Sequence, residues 1–257
     1  MSKASEAARF IDDAHKTRAR YQNLPDALAP ANVAEAYAGQ AALVELWMPR
    51  LGPVAGLKIA TTTKVMQALM GIDHPCMGTI FKSRIWNSPA EIRKADFINV
   101  RIECELAVRL GRDLPNTGAP YTRESVRGAV KEVMAAFELI EDRFADYKAT
   151  KALTLIVDNA WNGGIVIGPP KAVPADFELN GIQGTLKSNG KLVGEGKTDD
   201  PMGALAWLAN QAVATNRPMT AGMVVITGSC IATLDIAPGE RLDFALAGVG
   251  EVSGTGI

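Results

Sequence analysis

Histidine and cysteine are scarce in this chain of 257 residues: His15 and His74 are its only histidines, and Cys76, Cys104 and Cys230 its only cysteines. The cysteines are odd in number, scattered and without C-x-x-C spacing, so neither a disulfide framework nor a thiolate zinc site is indicated. Two histidines leave a catalytic triad or a multi-histidine metal centre almost nothing to draw on. No apolar run approaches the ~20 residues that span a bilayer. The opening MSKASEAARFIDDAHK lacks the apolar core of a secretory signal. A formal net charge of −1 offers neither a nucleic-acid footprint nor a polybasic membrane surface. A cytoplasmic protein with reduced thiols and no nucleic-acid or membrane partner is expected. What is abundant is apolar: 47% hydrophobic against 21% charged residues suits a globular chain with a sizeable core.

Apolar side chains at Ala7, Phe10, Ile11 and Ala14 fall at helical spacing and predict a helix over 4–22. Asn32 with Glu35 three residues on resembles a capping box, and Val33, Ala36, Tyr37, Gln40, Leu43, Val44 and Trp47, with Gln40 the polar gap, mark the stripe of a second helix that Pro49 should end. Residues 1–54 thus read as a helical cover, and 55–257 as the body. A short strand around Gly56–Thr63 precedes a brief helix at Lys64–Met70, and Gly71–Gly78 reads as a loop. Phe97–Leu110 is expected as a strand and Thr122–Phe137 as a helix. The polar, glycine-closed turn Asp158–Gly164 leads into the apolar Ile165–Ile167. Asn189-Gly190 between alternating arms predicts a hairpin over 185–193, followed by a helix at Gly203–Ala214 and strands at Met223–Thr227 and Arg241–Ala247. The fold class is α+β: early helices, then a mainly antiparallel sheet system.

The chemistry centres on Arg101-Ile102-Glu103-Cys104-Glu105-Leu106. In a strand, Ile102, Cys104 and Leu106 share one face and Glu103 and Glu105 the other. Two carboxylates ~4 Å apart at an effective dielectric of ~20 repel by about 4 kcal/mol, a cost that water or a cation can remove. A third carboxylate from Glu138, Glu141 or Asp142 would complete a hard-oxygen site for Mg²⁺ or Mn²⁺; spacing alone does not choose among them. At the end of the expected helix, Glu138 would work against the helix dipole, so another partner must account for it.

Gly56-Leu57-Lys58-Ile59, Thr62-Thr63-Lys64, Gly71-Ile72-Asp73 with Pro75 and Gly78, Arg101-Ile102-Glu103-Cys104-Glu105, Glu138-Leu139-Ile140, Asp158-Asn159-Ala160 and Ala206-Trp207-Leu208-Ala209-Asn210 together resemble, in order, the hydratase/decarboxylase branch of the fumarylacetoacetate hydrolase family. The resemblance implies a mixed β-sandwich roll behind the N-terminal helices. It implies a divalent metal on Glu103, Glu105 and Glu138, an active-site lysine at Lys58 and a pocket-lining Ser229. Substrates would be 2-oxo or 2-hydroxy-dienoic acids from aromatic catabolism. The implied reaction is hydration of a 2-hydroxy-2,4-dienoate. Alternatives are decarboxylation of a 4-oxalocrotonate-like diacid, hydrolysis of a 1,3-diketone, or a metal-binding scaffold without catalysis. A homo-oligomer, or a hetero-complex with a pathway partner enzyme, is implied as well. Two positions depart from the family pattern. Cys76 stands where hydratases of this branch carry an aspartate, leaving Cys76 or the neighbouring His74 as candidate proton carriers. Trp161 stands where the family has a small serine, so it is expected to reshape the pocket floor or to lie outside it.

Overall fold

Ser2 accepts a hydrogen bond from the Ser5 amide and starts helix α1, Lys3–Lys16, in the computed structural model, which describes residues 2–174 and 176–257. This helix stops six residues short of the expected end. The Thr17 hydroxyl turns back to the Asp13 carbonyl, and Arg18 takes a left-handed backbone conformation. Helix α2, Val33–Leu51, begins where Asn32 accepts from the Glu35 amide at 2.9 Å. Glu35 returns a bond one residue further back than in a standard box, to the Ala31 amide. Pro49 does not end α2: it falls in the last turn, where only one ladder hydrogen bond is lost.

Strand β1, Val54–Ala60, and helix α3, Lys64–Met70, follow expectation. The expected loop ends early, because Cys76–Phe81 forms strand β2 antiparallel to β1, with Cys76 opposite Ala60. Short strands β3, Ile85–Asn87, and β4, Ala90–Ile92, lead to β5, Val100–Leu110. The helix expected over 122–137 is the largest correction. A Thr122–Ser125 capping box does start one, but α4 covers only Arg123–Arg127, and Val130–Glu141 is a long strand, β6. From Val133 onward β6 is buried on both faces. It therefore shows no polar alternation, and its apolar run imitates a helical stripe. Helix α5, Ala152–Val157, strands β7, Asn162–Ile167, and β8, Lys171–Ala172, and the hairpin β9, Gln183–Ser188, with β10, Lys191–Lys197, come next. The hairpin turns on Asn189 and Gly190, both at positive φ, as its two-residue turn requires. Helix α6, Pro201–Ala214, then β11, Val224–Asp235, β12, Arg241–Leu246, and β13, Gly250–Gly256, complete the chain.

Two mixed sheets result. One has the order β2-β1-β11-β5-β6-β7-β3 with β8 beside β6, and the other β10-β9-β12-β13-β4. They pack face to face through Phe137 of β6 and Phe244 of β12, whose rings lie 6.3 Å apart. Ile102, Cys104 and Leu106 of β5, all fully buried, contribute to the same core cluster as those two rings. The opposite face of β5 and β6 carries the acidic residues. No helix among the described residues is long and apolar enough to cross a membrane.

Candidate metal centre

Antiparallel pairing of β5 with β6 sets Glu103 directly opposite Glu138, and Glu105 follows two residues along the same face. Register thus selects Glu138 from the three acidic candidates. Glu141 instead accepts from the Ile98 and Asn99 amides, and Asp142 from the Asn99 side chain. One oxygen from each of Glu103, Glu105 and Glu138 lies within 4.8 Å of the other two. Each carboxylate is held from a different side. The Thr233 hydroxyl donates to Glu103 at 2.5 Å, the Gly228 amide to Glu105 at 2.7 Å, and Asn162 to Glu138 at 3.0 Å. Irregular register of β11 around Ser229, with Gly228 at positive φ, turns that amide toward the acid. Lys58 of β1 adds an ammonium 2.9 Å from Glu138.

Charges of one sign at ~4.8 Å repel by roughly 3 kcal/mol per pair at an effective dielectric of ~20. Burial raises the Glu105 carboxyl well above the usual range, helped by Glu138 and Glu103. Burial likewise raises Glu138, to about 7, against the opposing pull of Lys58. For Lys58 burial acts to lower the pKa, but Glu138 and Glu103 prevail and hold it above its ordinary value. The ammonium therefore stays charged at neutral pH. Three carboxylates and one ammonium leave a formal charge of −2. Oε1 of Glu105 and Oε2 of Glu138 are buried without a hydrogen-bond partner. Two orphaned carboxyl oxygens, a formal charge of −2 once all three acids are ionised and an all-oxygen donor set fit one hard dication.

A cavity of about 470 Å³ opens beside the cluster, lined by Lys58, Glu103, Trp161 and Ser229 among others. Trp161 closes one wall, with Tyr21 and Tyr147 standing edge-on to its ring at 5.2 and 5.1 Å. Its backbone belongs to a left-handed turn, Asn159, Ala160 and Trp161 all having positive φ. The Ser229 hydroxyl is used internally, donating to the Ile231 carbonyl at 2.6 Å. The other two expected residues are not brought to this cavity. Cys76 is fully buried on β2, and burial pushes its thiol pKa up against a hydrogen bond with Thr61 and the charge of Lys58. His74 lines a separate cavity with Lys148–Thr154, and its Nδ1 contacts the Pro75 carbonyl at 2.7 Å. Neither residue lines this cavity, but the Cys76 thiol hydrogen-bonds Thr61, which does.

Four contributors escaped sequence reasoning. Asn162, Thr233 and the Gly228 amide orient ligands, and Tyr147 builds the wall. Asn162 carried a signal as a polar residue of the Asp158–Gly164 turn, and Gly228 as the glycine beside Ser229; Thr233 and Tyr147 carried none. Beneath that turn, Asp158 is fully buried between Arg143 and His15 and fastens it to α1.

Residues 73–255 match the model of the fumarylacetoacetate (FAA) hydrolase C-terminal family. The chain is 33% identical over 206 residues to the 2-hydroxyhexa-2,4-dienoate hydratase of Comamonas testosteroni, covering 78% of this chain and 77% of that protein. Identity is 29% over 234 residues to a 2-keto-4-pentenoate hydratase of Dechloromonas aromatica, covering 90% and 88%. Among solved structures, the 4-oxalocrotonate decarboxylase of Pseudomonas putida G7, complexed with magnesium and adipate, superposes with a TM-score of 0.90 at 22% identity, covering 99% of this chain and 97% of that one. The chain belongs to the fumarylacetoacetate hydrolase family.

Proposed function

We propose that this protein is a metal-dependent lyase that adds water to a 2-hydroxy-2,4-dienoate and releases a 4-hydroxy-2-oxo acid. The observation that carries the reading is the pair of orphaned oxygens of Glu105 and Glu138 beside Glu103 and Lys58. The hydratases among its relatives support the choice of reaction. Glu103, Glu105 and Glu138 would hold Mg²⁺ or Mn²⁺. Such an ion supplies Lewis acidity toward the carboxylate and 2-oxygen of the acid.

The chain's own groups do the rest. Lys58 Nζ holds its proton at neutral pH and offers hydrogen bonds and positive charge to the incoming carboxylate. Thr233, Gly228 and Asn162 keep the three acids in one orientation, so no rearrangement is needed on binding. Trp161 and Tyr147 shield the far end of the cavity from water. The test is incubation with Mg²⁺ and 2-hydroxypenta-2,4-dienoate, following dienol absorbance and CO₂ together. Dienol loss without CO₂ is expected.

One observation favours decarboxylation as a second reading: a buried thiol whose pKa burial raises, Cys76, stands in the aspartate's place and is a poor base for activating water. CO₂ release from 2-oxohex-3-enedioate would establish it. Turnover of neither acid would return the hydrolase or scaffold alternatives. The same reading carries a homo-oligomer, or a complex with a pathway partner enzyme, in the cytoplasm, where the three free thiols stay reduced. Light scattering of the purified protein checks the first of these.

A further inference from the structure

The cavity beside the carboxylates is unevenly furnished. Among the described residues lining it, Lys58 and Glu103 alone carry charge, and Lys58 is engaged by Glu138. The remaining wall is uncharged: large apolar side chains, Met66, Met70, Ile140, Leu155, Trp161 and Ile231, with the hydroxyls of Thr61–Thr63, Ser229 and Thr233 between them. Tyr147, the other large polar side chain there, spends its hydroxyl on Asp142 at 3.1 Å. The nearest further cation along β5, Arg101, stands behind the wall: it hydrogen-bonds Tyr147 and pairs with Asp235 at 3.0 Å but is not itself among the lining residues. The Trp161 indole N–H, buried without a partner, and the hydroxyls can satisfy a neutral acceptor but do not neutralise a carboxylate.

Size points the same way. A five-carbon oxo acid has eight heavy atoms; at roughly the 30 Å³ that a liquid water occupies, it would fill about half of the 470 Å³ cavity. A second carboxylate placed in the remaining half would meet no lining cation other than Lys58, which Glu138 already engages. An alkyl or aryl group there would be buried favourably.

We infer that the acid this site takes is a monocarboxylate with an uncharged, largely apolar tail longer than that of a pentenoate, and that Trp161 is the residue that selects the tail. This deepens the proposed function and rests on it for the placement of the head group at the carboxylates. The diacids that a decarboxylase would need are disfavoured.

The test is calorimetric titration of the Mg²⁺-supplemented protein with three unreactive analogues: 2-oxopentanoate, 2-oxooctanoate and 2-oxohexanedioate. Three further buried methylenes correspond to roughly 50-fold in affinity, so 2-oxooctanoate should bind at least tenfold more tightly than either of the others. Trp161→Ala should remove most of that advantage while Mn²⁺ binding persists. Ile231→Arg, which places a cation on the wall at a partly exposed strand position, should turn the preference toward 2-oxohexanedioate. Binding of 2-oxohexanedioate as tight as that of 2-oxooctanoate by the unaltered protein would overturn the inference and leave the hydratase reading standing. Failure of all three acids to bind a protein that still takes up Mn²⁺ would remove both.

Discussion

A Glu105→Gln exchange preserves the side chain's shape and removes its charge, so its two consequences have opposite signs. Loss of one anionic donor should weaken Mn²⁺ binding at least tenfold, read by electron paramagnetic resonance. In the metal-free protein the same change relieves a buried, repelled carboxylate, so the urea midpoint should rise. Asn162→Ala leaves all three acids in place but frees Glu138, which should cost ten- to a hundredfold in metal affinity, about what loss of a ligand's own support costs. At this scale the sequence was informative in a specific way. The two-residue spacing of Glu103 and Glu105 is a local property of a strand and could be read directly. Choosing Glu138 needed the resemblance, since it depends on the register of a second strand. Thr233 and Gly228 reach the acids from β11, over a hundred residues away, and no local pattern announces such contacts.

The way β1 and β2 meet bears on catalysis through a glycine. Gly78 lies opposite Lys58, and a methyl group there would come within 2.9 Å of Lys58 Cγ and 2.7 Å of the Asn159 carbonyl. Gly78→Ala should therefore displace the lysine or the left-handed turn, lowering kcat by tenfold or more with little change in Mn²⁺ affinity. The turn has a second anchor in Asp158. Burial acts to raise its pKa, but Arg143 and His15 outweigh that and hold it below the model-peptide 3.8. A carboxylate so depressed contributes stability fully above pH 3.8, and the contribution fades as pH falls through the lower folded-state value. Asp158→Asn, which leaves Arg143 buried and uncompensated, should cost about 3–5 kcal/mol in urea unfolding at pH 7. It should also flatten the acid limb of the stability curve below pH 4. Elements with a local signature were legible: the capped helices, the Asn-Gly hairpin and α3. Strand β6 was not, because a strand covered on both faces has lost the alternation that identifies strands. Mistaking it for a helix made the position of Glu138 look anomalous, whereas cross-strand pairing explains it.

Over the whole molecule, the N-terminal helices belong to the same core as the sheets. Gln40 of α2, fully buried, donates to the carbonyls of Met77 and Ile156 and accepts from Arg217. His15 of α1 holds Asp158. A fragment comprising residues 55–257 should accordingly show no cooperative unfolding transition by circular dichroism, while the full chain shows one. The two N-terminal helices were visible from their apolar spacing; their interlocking with the sheets through Gln40 was not, since a lone glutamine on an apolar stripe reads as a gap. Lys58 has a consequence for the life of the protein between ion-loaded states. With a resident ammonium set among the acids, part of their repulsion is already offset before any ion arrives, and folding does not wait for one. Stripping the ion with a chelator should therefore silence the protein without melting it, and returning Mg²⁺ should revive it within the mixing time, so that supply of the ion acts as a switch on a standing population.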